Sequence, residues 1–253
     1  IPFLKNTSSG IPARAASALG DGIELVTGDM TDPASLRPAA RDCRVVFHFA
    51  AILDEFLPLS AYHAVNVEGT RSLAEASLEA GVERFVHAGT VSVYDLMSGG
   101  RVNEGARPVR APDAYAATKL EAESIVRELV TRRGLYAVIV QPTQVYGPGD
   151  RAWTYRPMKL IRERRMILVR GGSGLIDPIY IDDAVDGVLA AARTGRAAIV
   201  MRLVESGGEP RSAARLARRR RPGARPAVSK LARAWLPRSM RSRSWRCSAG
   251  ATG

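Results

Sequence analysis

The chain has 253 residues, 46% of them hydrophobic, a formal net charge of +12 and two cysteines. Length and apolar content suit one sizeable domain with a buried core. No run of about 18 apolar residues argues for a membrane span, and "IPFLKNTSSG" lacks the order of a secretory leader, so a cytoplasmic protein with free thiols at Cys43 and Cys247 is expected.

The charge is unevenly placed. From Arg193 onward the chain holds sixteen basic and two acidic residues, a balance of +14, which leaves the rest at −2. The body is therefore near neutral, and the excess belongs to the tail.

The body reads as alternating strands and helices. "GIELVTGD" (residues 22–29) is a short β-rich run. "TDPASLRPAARD" follows as a helix, with Thr31 or Asp32 as N-cap and Pro33 in the first turn. "RVVFHFAA" (44–51) is almost continuously apolar, as a strand buried on both faces would be. "NVEGTRSLAEASLEAG" has helical periodicity and closes on Gly81. "ERFVHAGT" is the next strand. "YAATKLEAESIVRELVTRRG" is the strongest helix, with Leu120, Ile125, Leu129 and Val130 at helical spacing and Gly134 at its end. "YAVIVQPT" is another buried strand; "YRPMKLIRERR", "MILVRGG" and "DDAVDGVLAAART" complete the order. This alternation predicts an α/β fold with a doubly wound parallel sheet. We expect a Rossmann-like domain over residues 1–198 and a basic, low-complexity, disordered tail over 199–253.

In such a sheet, ligands bind at the carboxyl ends of the strands. "GD" at Gly28–Asp29, "HFAA" at His48–Ala51, "GT" at Gly89–Thr90 and "QPTQVYGPGD" at Gln141–Asp150 all fall at strand ends. Tyr115 and Lys119 lie at the start of the helix after the Thr90 strand, four residues apart and so on one face. Alone, the Tyr-x-x-x-Lys spacing is weak, and both residues also fit an ordinary helix. His48 reads as a packed strand-end residue. His63 and His87 share no ligand spacing with it, so no metal site is expected. Asp182 and Asp183 read as helix caps, and "GGSG" (171–174) and "GPGD" as turns.

"GDMTD", "VVFHFAA", "NVEGT", "RFVHAGTVSVYD", "YAATK", "QPTQVYGPGD" and "IYIDDAVDGVLAA" occur in one order over residues 22–193. Together they resemble the extended short-chain dehydrogenase/reductase family of NAD(P)-dependent sugar epimerases, dehydratases and 3β-hydroxysteroid dehydrogenase-like enzymes. The resemblance implies an oxidoreductase or epimerase with Tyr115 as general acid/base. Lys119 would favour the phenolate and hold the nicotinamide ribose. Thr90 would orient the substrate oxygen, with Ser92 as a weaker substitute. It also implies NAD or NADP as cofactor. Asp29 and Met30 would lie toward the adenine; Phe49, Ala50 and Ala51 beside the ribose and pyrophosphate; Asn66, Pro142, Thr143 and Val145 beside the nicotinamide. Lys5 falls where the family distinguishes NADP from NAD and points to NADP.

The family's G-x-x-G-x-x-G phosphate loop does not occur in this sequence. We therefore expect the first strand and helix of the fold to be missing. The strand near Glu24 should then have no ladder connection to the strand at Val45, and the polypeptide should be unstable and bind cofactor poorly. The expected substrate is a small or steroid-like alcohol or ketone, or a sugar. "GLIDPIYIDD" supplies no Arg for a nucleotide diphosphate. A homodimer is compatible, and nucleic acid is a less favoured partner. Two other readings stay open: a non-catalytic nucleotide sensor whose basic tail binds nucleic acid, and a non-functional gene fragment whose tail is a frame-shifted translation.

Overall fold

The computed structural model describes residues 3–5, 25–53, 57–94, 106–109, 113–167, 177–194, 200–204 and 246–248. The chain divides into two compact units. One holds residues 1–141, 188–201 and 249–253; the other holds 142–187 and 202–248.

In the first unit, β1 (Phe3–Lys5) and β2 (Leu25–Thr27) pair in parallel. Helix α1 (Pro33–Ala40) follows, capped by Asp32, whose carboxylate accepts from Ala34 N at 3.0 Å. Pro33 opens it, where a missing N–H costs nothing. Strand β3 (Val45–His48) leads to α2 (Leu59–Tyr62), a wider π-type turn at His63–Glu68, and α3 (Gly69–Glu79). The helix around "NVEGT" thus begins several residues earlier than its apolar spacing suggested. Strand β4 (Arg84–Ala88), a 3₁₀ turn at Val91–Val93, helix α4 (Ala114–Arg133) and strand β5 (Ala137–Pro142) follow.

Strands β3, β4 and β5 form a parallel ladder in which Phe47 pairs with Val86, His48 with His87, and Val86 with Val138. Strand β8 (Val200–Val204) runs antiparallel to β9 (Arg246–Ser248). These two strands come from the interval assigned to the tail; its other residues lie outside the described set. Among the described residues the β1–β2 pair is a sheet of its own, with no ladder to β3.

One sheet face and helices α3 and α4 enclose the core of Val46, Phe85, Ala137 and Ile139 with Val67, Leu73, Ile125, Val126 and Leu129. The strands are short, apolar and covered, which explains their near-continuous hydrophobic runs. Helix α4 stops at Gly134, which takes a left-handed φ of 73° and donates its N–H to Leu129 O. The Cys43 thiol donates to Ala39 O at 3.4 Å.

In the second unit, β6 (Gln144–Tyr146) pairs in parallel with β7 (Pro178–Tyr180), and Tyr146 meets Tyr180 edge-on at 5.4 Å. "GPGD" is a turn closed by Asp150 N to Gly147 O at 3.0 Å. Asp150 also caps the next helical segment, accepting from Ala152 N and Trp153 N before α5 (Arg156–Arg162). Helix α6 (Ile181–Thr194) carries Asp182 and Asp183 in its first turn, where the helix dipole favours acids. "GGSG" and most of "MILVRGG" lie outside the described residues.

Candidate active site

The site grows from two adjacent pieces of the first unit, the end of β4 and the start of α4. Asp113 caps α4, its carboxylate accepting from Ala116 N at 2.7 Å. That fixes where the helix starts, and so the face that carries Tyr115, Lys119 and Glu123, each one turn beyond the last. Beyond β4, the Thr90 hydroxyl caps the 3₁₀ turn by accepting from Ser92 N at 3.2 Å, and it lies 3.2 Å from the Ser92 hydroxyl. The Thr90 hydroxyl is also close enough to Tyr115 to favour its ionised form. The structure therefore brings Thr90 and Tyr115 near one another, with Ser92 bonded to Thr90 and Lys119 a turn beyond Tyr115.

Burial raises the Tyr115 pKa above the usual phenol value, the Thr90 hydrogen bond opposes that rise, and the charges of Asp113 and Glu123 add to it. Lys119 is 2% exposed. Its pKa is pulled down to about 8 by burial, against which Glu123 acts to hold the charge. The hydroxyl of Thr90 is thus the neighbour that eases ionisation of Tyr115.

Below these residues the sheet-facing side turns polar. His48 and His87 sit side by side on β3 and β4, with ring centroids 5.3 Å apart. Thr70 donates its hydroxyl to Asn66 O at 2.6 Å, so the 2.8 Å contact between His48 and Thr70 is a donation from His48 Nε2–H. His48 Nδ1 and both His87 nitrogens have no hydrogen-bond partner among the described residues. Burial, then the Lys119 charge, depresses both imidazoles, His48 to about 3; both are neutral. Glu123 is also buried, with its pKa raised by burial and lowered by the Gln141 hydrogen bond. Gln141 Nε2 donates to the two carboxylate oxygens at 2.9 and 3.0 Å, and the Thr90 peptide N–H also acts to lower the Glu123 pKa. Tyr94 donates to Gln141 Oε1 at 3.1 Å.

Gly89 makes this arrangement possible. A Cβ there would stand 2.1 Å from Glu123 Oε1 and 3.1 Å from Gln141 Cγ. Sequence reading singled out neither Glu123 nor Gln141. A charged side chain on the core-facing stripe of a helix, one turn beyond Lys119, was the available signal.

The residues expected beside the cofactor occupy varied surroundings. Asp29 accepts from Thr31 N and Oγ1 at 2.8 and 2.7 Å. Met30 is 4% exposed and belongs to the core. It packs on Gly69, where a Cβ would stand 2.8 Å from Met30 O. Phe49 is 53% exposed, with Ala50 and Ala51 half-buried beside it. Asn66 is buried, accepting from Ile52 N at 2.8 Å and donating to Thr118 Oγ1 at 3.1 Å. It ties the loop after β3 to α4. Pro142, Thr143 and Val145 are half-buried and belong to the second unit. Lys5 lies in β1, paired with Thr27; its side chain is outside the described set. Among the described residues there is no group of three His, Cys, Asp or Glu that could hold a metal ion, and no helix long and apolar enough to cross a membrane.

Residues 4–203 match the model of the NAD dependent epimerase/dehydratase family. Among similar curated proteins is 3beta-hydroxysteroid-dehydrogenase/decarboxylase isoform 2 of Arabidopsis thaliana, 27% identical over 68% of this chain and 31% of that protein. Another is 2-alkyl-3-oxoalkanoate reductase of Stenotrophomonas maltophilia, 32% identical over 64% of this chain and 50% of that protein. Among solved structures, dTDP-glucose 4,6-dehydratase of Streptomyces venezuelae with NAD bound is 25% identical with a TM-score of 0.72, covering 79% of this chain and 65% of that chain. The chain thus spans half the length or less of these two curated relatives.

Proposed function

Because the chain belongs to the NAD dependent epimerase/dehydratase family, we propose that it is built for hydride transfer between a nicotinamide cofactor, NAD or NADP, and an alcohol or ketone, with Thr90, Tyr115 and Lys119 as its acid/base residues. The observation that carries this reading is Thr90 at the end of β4 with its hydroxyl acting to lower the Tyr115 pKa, and buried Lys119 one helical turn along from Tyr115. The nicotinamide, when bound, accepts or supplies the hydride.

The chain's own residues move the proton. In the reducing direction Tyr115 gives its phenolic proton to the substrate oxygen; in the oxidising direction it takes one. Thr90 has one hydroxyl proton: it would hold the substrate oxygen before proton transfer and turn to the Tyr115 phenolate once that oxygen is protonated. Lys119 keeps positive charge near the pair and would bond the ribose.

Fit to the cofactor differs between its two halves. The exposed Phe49 and the small side chains of Ala50 and Ala51 leave open surface at the carboxyl end of β3, suited to an extended ligand. The sequence holds no G-x-x-G-x-x-G to cradle the pyrophosphate through a helix N-terminus, so this polypeptide binds the cofactor weakly. Thermal melting with and without NADH and NADPH tests that point. A cooperative transition raised by either dinucleotide is the result that refutes weak binding.

The substrate we favour is a small or steroid-like alcohol or ketone. The names of the two curated relatives support it, as does the absence of Arg from "GLIDPIYIDD". The test is oxidation or reduction of a panel of hydroxysteroids, 3-oxo acids and nucleotide sugars, followed by reduced-nicotinamide absorbance. Turnover confined to the nucleotide sugars would reject this substrate class.

A further inference from the structure

We propose that Glu123 is a positioning residue of this site, whose buried carboxylate ties α4 to the Thr90 peptide and supplies the counter-charge for Lys119. The proposal rests on the reading of Thr90, Tyr115 and Lys119 as the reacting set and explains what holds that set together.

Three observations carry it. First, among the described residues the hydrogen-bond partners of the Glu123 carboxylate are donors. Gln141 Nε2 reaches the two oxygens at 2.9 and 3.0 Å, and the Thr90 peptide N–H acts in the same sense, favouring the ionised carboxylate. The Gln141 amide is held that way round because Tyr94 donates to its Oε1 at 3.1 Å. A carboxylic acid would need an acceptor for its own proton; a set of donors selects the anion. Second, Lys119 and Glu123 are each 2% exposed and stand one turn apart on one helix. A buried ammonium needs an anion within reach. The other titratable groups facing Lys119 from the sheet, His48 on β3 and His87 on β4, are both depressed and neutral, and Tyr115 on α4 is held protonated by burial. Arg127, one turn past Glu123, adds a second positive influence on the carboxylate. Glu123 is the anion of the set. Third, the carboxylate occupies the space above Gly89 that a Cβ would fill, so the strand end carrying Thr90 is fitted to it. One group thereby sets the Thr90 peptide from one side and the Lys119 charge from the other.

The test uses the whole chain labelled with ¹³Cε-lysine. It has four lysines, Lys5, Lys119, Lys159 and Lys230, so the spectrum is sparse and K119R assigns the signal in question. Parent Lys119 is expected to titrate near 8. In E123Q, which keeps the shape and an acceptor oxygen, its midpoint should fall by about one unit while Lys159 stays in place. A merely structural role for Glu123 leaves that midpoint where it was. A midpoint that does not move in folded E123Q, or a parent Lys119 that titrates like the other three, overturns the proposal. E123M, which removes the charge without leaving a polar group in the core, should move Lys119 the same way, and it decides the matter if E123Q does not fold; an unmoved Lys119 there also overturns the proposal. The measurement needs neither cofactor nor substrate, so failure of the oxidoreductase reading and failure of this one are distinguishable.

Discussion

Replacing Gly89 with alanine puts a methyl group where the Glu123 carboxylate now lies. The new Cβ would stand 2.1 Å from Oε1 and 3.0 Å from Cδ, so the carboxylate must withdraw by roughly 1.5 Å to reach an ordinary contact distance. The Gln141 donations at 2.9 and 3.0 Å cannot survive that displacement intact. Hydrogen bonds to a charged group contribute roughly 1.5–3 kcal/mol each, and overpacking adds to their loss, so Gly89→Ala should destabilise the chain by about 3 kcal/mol. In an E123A background the same methyl meets only Gln141 Cγ at 3.1 Å, and its cost should shrink to about 1 kcal/mol. Urea unfolding of the parent, both single variants and the double variant gives the coupling energy, expected near 2 kcal/mol. A G89A chain as stable as the parent, or costs that simply add, would show that Gly89 and Glu123 do not share this space.

Other expectations follow from the same site. Tyr115→Phe should lower any turnover by about 10²–10⁴-fold with little change in stability, checked by steady-state kinetics alongside thermal melting. The Lys119 pKa falls from 10.5 to about 8 on folding, so the unfolded chain binds this proton more tightly. The contribution of Lys119 is therefore least favourable below about pH 8 and improves as pH rises toward 10.5. That fall sets an upper limit of roughly 3–4 kcal/mol. Lys119→Met should remove that rise from a pH series of urea unfolding midpoints; an unchanged series contradicts the burial of a charged Lys119. Asn66→Ala frees the Ile52 amide from its 2.8 Å acceptor and the Thr118 hydroxyl from its 3.1 Å donor. A loss of roughly 1–3 kcal/mol is expected, together with faster amide exchange at Ile52. Stability within about 0.5 kcal/mol of the parent would mean water replaces Asn66 there.

Much of the frame was legible because buried parallel strands write themselves as apolar runs. "VVFH", "RFVHA" and "AVIVQP" are β3, β4 and β5. Capping chemistry was legible too, at Asp32 and Gly134. The spacing of Tyr115 and Lys119 was visible, but by spacing alone they remained two helix residues; the contact with Thr90 needed the fold. Glu123 was harder to read because a charged residue in a helix is ordinarily solvated. Only its partners, from a strand eighteen residues on and from a peptide thirty-three residues back, explain its burial. Met30 and Asn66 illustrate the reverse. A position at a strand or helix end says little about whether a side chain faces a ligand or the protein, and here Met30 packs in the core and Asn66 bonds to Ile52 and Thr118.

The separation of the β1–β2 pair from β3 among the described residues, a matter of ladders in the fold, has a consequence for cooperativity. Strands in one ladder must break shared hydrogen bonds to part, whereas strands in different ladders are coupled only through side chains. The β1–β2 pair can therefore open without tearing the β3–β4–β5 ladder whose ends carry His48, Thr90 and Gln141. Thr90, of the proposed acid/base set, lies at the end of that ladder. The side expected to meet the adenine belongs to a part that can open on its own, so dinucleotide binding and the integrity of the acid/base set become separable properties of one polypeptide.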